Sequence, residues 1–178
     1  MQLETERLML RLPRLDDAGG VLEVLSDLET MRFLGGVDPE LDPVRVVQGW
    51  LERWDANGFG HFSVVRRDDG RFLGRVGIIV WDTRDWRNTT LADAGEHAQP
   101  EIGWAFAREH WGRGYATEAA RAVRDWARSD AGIGRLISLI HPDNAASRRV
   151  AERLGAEPTE TVTLLESGVR CVVWVHPR

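Results

Sequence analysis

One cysteine, Cys171, and one tyrosine, Tyr115, are all that 178 residues contain of either type. A single cysteine excludes an intramolecular disulfide and a thiolate metal cluster within one chain. Cys171 lies in "VRCVVWV", a strand-like run in which a buried thiol packs as a small apolar group. Long apolar runs are missing too. "VGIIVW" (Val76–Trp81) is strand-sized and too short to cross a bilayer, so no membrane partner is expected. The first residues carry Glu4, Glu6 and Arg7 among isolated leucines, with no apolar signal region, so a cytoplasmic location is expected. There is no basic excess. With Lys and Arg at 23 against Asp and Glu at 28, the net charge of −5 argues against bulk nucleic-acid binding and suits a cationic amine or peptide. Five histidines without paired ligand spacing lead to an expectation of no metal.

The apolar fraction of 43% and charged fraction of 29% are those of a folded globular chain, and the length suits one domain over residues 1–178. The opening "LETERLMLRLPRLDD" alternates apolar and polar residues and reads as one strand stopped by Pro13. Asp16 or Asp17 is placed to cap a helix through Val21, Leu22, Leu25 and Leu28. A Gly/Pro-rich loop, "FLGGVDPELDP", then precedes a short helix through Val46 to Trp54. "HFSVVRRDDGRFLGRVGIIVW" is a hairpin about Asp-Asp-Gly, and residues 82–100 read as a long surface loop. "EIGWAFA" and "RLISLIH" are strands, each followed by a helix. The first helix has Ala119, Ala120, Val123, Trp126 and Ala127 on its apolar stripe. The second starts near Asp143 or Asn144, with Gly155 as its C-terminal cap. A hairpin about Glu166-Ser167-Gly168 closes an α/β (α+β) chain built on one mixed, mostly antiparallel sheet.

The segment that carries chemistry is "REHWGRGYATEAARAVRDWA", where Gly112 and Gly114 flank Arg113 just before a helix. Unpaired N–H groups and the dipole make a helix N-terminus a site for anions, and glycines let the main chain come close to one. Many strand-to-helix turns contain glycine only in order to turn. A nucleoside-triphosphate loop would need Gly-Lys-Ser/Thr, and a dinucleotide loop would need glycine where Thr117 stands; neither fits.

"WGRGYATEAARAVRDWA" resembles the pyrophosphate-binding turn of the GNAT acyl-CoA N-acetyltransferases, Gln/Arg-x-x-Gly-x-Gly/Ala, with Trp111, Gly114 and Ala116 at the three defined positions. Trp111 departs from the Gln/Arg of that pattern, and the departure is itself similar to the RimJ/RimL-type ribosomal-protein N-terminal acetyltransferases. "LETERLMLRLPRLDD", "EIGWAFA" and "HPDNAASRRVAERLGA" resemble the same branch in the same order, from residue 3 to about residue 156. The resemblance implies a single GNAT-like domain with helices on both faces of a twisted sheet, whose fourth and fifth strands splay to hold acyl-CoA.

It also implies an activity: direct attack of a primary amine on acetyl-CoA in a ternary complex, which requires orientation, oxyanion stabilisation and proton management. The implied cofactor contacts are main-chain groups of Trp104, Ala105, Phe106 and Ala107 on pantetheine, and N–H groups of Arg113, Gly114, Tyr115, Ala116 and Thr117 on the pyrophosphate, with Trp111 and Gly112 also at the cofactor. Asn144 either holds pantetheine or caps its helix. Ser147 either protonates the departing thiolate or satisfies the same first turn. Glu101 is either the general base or a strand-edge acid paired with an arginine, and Tyr115 either touches the cofactor or covers the core edge. Glu118 reads as a favourable helix-dipole charge. Phe33, Leu34 and the loop to Pro43 would wall the acceptor side with the last hairpin. The acceptor is a protein N-terminus or a small-molecule amine. The alternatives are transfer of a longer acyl group such as succinyl, and an acyl-CoA-binding sensor or partner subunit without turnover. A monomer or a homodimer is compatible with the text.

Overall fold

Period-two alternation places Leu8 and Leu10 inward, and both are fully buried on β2 (Leu8–Arg11). The computed structural model describes residues 1–177. The N-terminal segment is not the single strand expected. It is a hairpin in which β1 (Gln2–Glu4) pairs antiparallel with β2, because Thr5 turns the chain by accepting the N–H of Leu8 on its hydroxyl at 3.0 Å. Asp17 does not cap the helix α1 (Ala18–Leu25) with its side chain. Its buried carboxylate instead joins Arg11, the N–H of Arg14 and Ser63, tying β2 and the segment at Ser63 to the turn after β2.

After a one-turn helix α2 (Leu28–Met31), α3 runs Pro43–Asn57, longer than the short helix expected. Asp42 caps it and Pro43 takes its first position, both strong start signals; Gly58, at φ 73°, ends it. The hairpin β3 (His61–Arg66) and β4 (Phe72–Asp82) forms as the Asp-Asp-Gly turn predicts. Residues 82–100 are not simply loop: β5 (Arg87–Thr89) folds back onto β4, α4 (Leu91–Ala94) follows, and β6 (Ala98–Phe106) begins within the segment. Asp82 makes that fold-back by accepting the N–H and guanidinium of Arg84, a local polar network that leaves no hydrophobic periodicity to read. The remaining elements are α5 (Tyr115–Ser129), β7 (Ile137–Ile140), α6 (Ala145–Arg153), β8 (Glu157–Thr163) and β9 (Arg170–Val175).

The strands form one sheet in the order β1-β2-β3-β4-β6-β7-β9-β8, with β5 beside β4. Every pairing is antiparallel except β6 with β7, which is parallel and connected through α5. On one face α5 covers Val76, Ile78, Ile102 and Phe106 with the apolar stripe read from its sequence. On the other, α1 and α3 cover Phe72 and Ala105. The fold is the mixed, mostly antiparallel α/β arrangement expected. Its central irregularity is the β6–β7 seam, where the single registered pair is Glu101 with Ile137. Beyond that pair the two strands part.

Candidate active site

Two adjoining cavities open at this parting. One, of about 430 Å³, is lined by β6 from Trp104 to Phe106, by the glycine turn and the start of α5, and by α6. The other, of about 290 Å³, reaches Glu101 and Gly103 from the α1–α3 side of the sheet. Phe33, Leu34, Trp104, Asn144 and Ser147 border both.

The larger cleft is built by the glycine turn. Gly112 and Gly114 stand at φ 73° and 81°, the left-handed region that glycine enters at little cost. The chain thereby turns into α5 with a run of N–H groups bare. From Gly112 to Thr117 no main-chain N–H has a hydrogen-bond partner among the described residues, and the first closed bond of the helix is Glu118 N–H to Gly114 C=O at 3.0 Å. Arg149 and Arg153 of α6 line the same cleft and add positive charge. On β6, Ile102 C=O accepts from Ser138 Oγ at 2.7 Å and Phe106 C=O accepts from Trp111 Nε1 at 2.8 Å, both on the side away from β4. Strand alternation puts the N–H and C=O of Trp104, midway between them, on that side as well, facing the gap.

The expected cofactor residues divide by position. Trp104, Ala105, Phe106, Trp111, Gly112, Gly114, Tyr115, Ala116, Thr117, Asn144 and Ser147 line the larger cleft. Ala107 is buried outside that lining, its N–H donating to Leu73 C=O at 2.9 Å. Arg113 also lies outside it; its C=O accepts from Arg7 Nη1 at 3.0 Å. Asn144 caps α6, its Oδ1 accepting the N–H of Ser147 at 3.0 Å, which leaves the side-chain amide N–H groups of Asn144 and the hydroxyl of Ser147 without partners among the described residues. Glu118 does more than complement the helix dipole. Its carboxylate accepts from Thr5 Oγ1 at 2.5 Å and from Arg7 Nε at 2.7 Å, and these bonds outweigh burial and lower its pKa.

Glu101 lies at the floor of the smaller cavity and is 7% exposed. The parting of the strands leaves the N–H of Leu139 without a ladder partner, and that N–H approaches Glu101 Oε1 at 3.4 Å; Trp81 Nε1 stands 3.5 Å from Oε2. These long contacts do little to offset burial, which raises the Glu101 pKa to about 7. Gly103 makes room for this carboxylate, since a Cβ there would lie 3.2 Å from Oε1. His61 and Arg75, which sequence reasoning did not single out, share the cavity, with Arg75 Nη1 donating to His61 Nε2 at 2.7 Å. Phe33, Leu34 and Gly35 wall it against Leu164, Glu166, Ser167 and Val169 of the last hairpin, so the wall expected from residues 33–43 is supplied by its first part. A one-letter signal for Arg75 did exist: it is the lone charge inside the apolar run of β4.

A helix start with bare N–H groups, a strand gap with exposed amide groups and a buried acid of raised pKa meet at one seam. The GNAT acetyltransferase domain model matches residues 7–157. The chain belongs to the GNAT acetyltransferase family. It is 34% identical to YkkB of Bacillus subtilis over 90% of this chain and 88% of that protein. Among solved structures, an acetyltransferase from Agrobacterium tumefaciens superposes with a TM-score of 0.81 at 26% identity, covering 100% of this chain and 95% of the other. The aminoglycoside acetyltransferase AAC(6')-Ib, solved in complex with coenzyme A, shares the fold at a TM-score of 0.71 and 18% identity over 96% and 95% of the two chains. In GNAT terms, the parting strands β6 and β7 correspond to the fourth and fifth strands expected to splay.

Proposed function

We propose that the chain is one acetyltransferase domain of RimJ/RimL-like type that transfers an acetyl group from acetyl-CoA to a primary amine. The observation that carries this reading is the run of unpartnered N–H groups from Gly112 to Thr117 at the N-terminus of a 15-residue helix. Such an arc fits a pyrophosphate, and a Cβ at either glycine would be strained by the positive φ. The Trp104 C=O facing the gap suits an amide N–H of a pantetheine arm, and Arg149 and Arg153 suit the phosphates of the cofactor. Bound acetyl-CoA supplies an acetyl group already activated as a thioester.

The remaining work falls to the chain. The main-chain N–H of Trp104 stabilises negative charge developing on the carbonyl oxygen. Glu101, with its pKa near neutrality, takes the proton released from the amine nitrogen as the C–N bond forms. Ser147 Oγ, which borders both cavities, donates a proton to the sulfur as the C–S bond breaks, and is reprotonated from solvent. Asn144 holds α6, and so Ser147, at the seam. The two cavities adjoin at Trp104, Asn144 and Ser147, so that cofactor and amine can be held side by side, which favours direct attack within a ternary complex.

The test is calorimetric titration of acetyl-CoA into the wild type and into Gly114→Glu, which places bulk and negative charge in the cradle. Micromolar binding that is lost in the variant, with its circular dichroism unchanged, is the expected result. Absence of binding to the wild type would refute the reading.

A further inference from the structure

Arg75 is an unusual occupant for a cavity of this depth. It sits mid-strand on β4, and the cross-strand pairs Arg75–Ala105 and Ile79–Glu101 put it on the same face as Glu101. Its side chain is partly buried and lines the smaller cavity but not the larger cleft. Among the described residues it has one hydrogen-bond partner, His61 Nε2, and no ion-pair partner. An arginine has only donors, so Nε2 accepts and the imidazole proton is on Nδ1, which has no partner of its own. Burial, with the charges of Arg75 and Arg53, keeps the His61 pKa well below its ordinary value, so His61 is neutral and offsets none of the charge.

The other polar groups around the cavity do not answer Arg75 either. Glu101 faces it without an ion pair; its oxygens are turned to Leu139 N–H and Trp81 Nε1. His141 stacks on Phe33 with its ring centroid 5.0 Å away and accepts the N–H of Asp143 on Nδ1. Glu166 is exposed on the tip of the last hairpin. A guanidinium held in a cavity with most of its donors free favours an anion there, and its planar fork matches a carboxylate. The same charge disfavours a polycationic acceptor.

We propose that the acceptor is an amino carboxylate, an α-amino acid with an apolar side chain, whose carboxylate pairs with Arg75 while its amine lies at Glu101. The proposal rests on the transferase reading above and names the substrate class for that site. Phe33, Leu34, Trp81 and Leu164 supply the apolar wall for the side chain. The cavity, at about 290 Å³, is of the size for a single amino acid rather than an oligosaccharide.

The experiment offers leucine, methionine and phenylalanine, each beside its amide and its decarboxylated amine, with acetyl-CoA, and follows thiol release. For the wild type, kcat/KM for at least one acid exceeds that of its two neutral-ended analogues by roughly 100-fold, since a site built around a charged hydrogen-bond donor rejects analogues that leave it unpaired. Arg75→Gln removes that preference chiefly through KM and leaves turnover of the amide within a few-fold; unchanged acetyl-CoA affinity shows that the variant folds. If Arg75→Gln does not fold, the preference of the wild type decides alone. Amides or simple amines used as well as the acids, or no acid used at all, would overturn the substrate class. A second measurement separates the two readings: titration of each amino acid into the protein without acetyl-CoA. Carboxylate-dependent binding without acetyl transfer upholds the ligand class and refutes the transferase, whereas transfer to amines lacking a carboxylate upholds the transferase and refutes the class.

Discussion

Arg7 and Glu118 are 111 positions apart, yet Arg7 grips the carboxylate twice: its main-chain N–H donates to Oε1 at 3.0 Å and its Nε to Oε2 at 2.7 Å. The same guanidinium donates through Nη1 to the C=O of Arg113 and lies 4.7 Å from the centroid of the Tyr115 ring. The N-terminal hairpin therefore braces the glycine turn from behind. It holds the bare N–H groups of the turn in one arrangement.

Arg7→Met retains length, apolar contact and the main-chain N–H bond to Glu118 Oε1, but loses the guanidinium's bonds to Glu118 Oε2 and to the C=O of Arg113. Affinity for acetyl-CoA is expected to fall about tenfold, because preorganisation of the cradle is lost. Arg7 is 42% exposed, so the cost in stability stays at about 1 kcal/mol or less. Arg7→Lys should recover little affinity, since an ammonium cannot reproduce the fork that spans Glu118 and Arg113. Calorimetric titration beside thermal melting checks both; equal affinity in all three proteins would dismiss the brace.

Gly103 offers a cleaner way to disturb Glu101 than replacing it. A methyl group at position 103 would come 3.2 Å from Glu101 Oε1, close enough to displace the carboxylate and still within what a flexible side chain can absorb. Gly103→Ala is expected to lower kcat tenfold or more while acetyl-CoA affinity holds within twofold, because the larger cleft is untouched. A parallel loss of both would mean that the substitution distorts β6 as a whole.

Sequence reasoning was strongest where local chemistry and burial agree. The α5 stripe, the two hairpins and the Asn144 cap have periodicity or turn residues that leave little choice, and each is where the pattern put it. It was weaker at the N-terminus and over residues 82–100. There Thr5 and Asp82 shape the chain by hydrogen bonds from single side chains, which make no repeating pattern. The site was half legible. The glycine turn is contiguous, so it can be read in a line of text, and its resemblance to a known family drew the cleft around it. The smaller cavity is assembled from β3, β4, β6, β7 and the last hairpin, and His61, Arg75 and Gly103 become neighbours only through strand order. No spacing along the chain encodes that meeting.

The buried Glu101 ties activity and stability to pH in opposite senses. Burial raises its pKa from 4.5 to about 7 in the folded protein. As base it works only when ionised, so kcat should rise with pH, reach half its plateau near pH 7 and level off above pH 8. Stability runs the other way. Below pH 4.5 the carboxyl is protonated in both folded and unfolded chains and costs nothing. Between pH 4.5 and about 7 the unfolded chain has released the proton that the folded chain retains, so the folded state loses ground as pH rises. The full loss, complete above pH 7, is roughly 3 kcal/mol as an upper bound. Glu101→Gln, uncharged at every pH, should abolish the titration of kcat and cut the rate about 100-fold or more. It should also gain stability relative to the wild type on going from pH 5 to pH 8. Urea melts at the two pH values measure this directly; a wild type and variant that shift in parallel would mean that Glu101 is ionised throughout this range and that a titration of kcat near pH 7 belongs to another group.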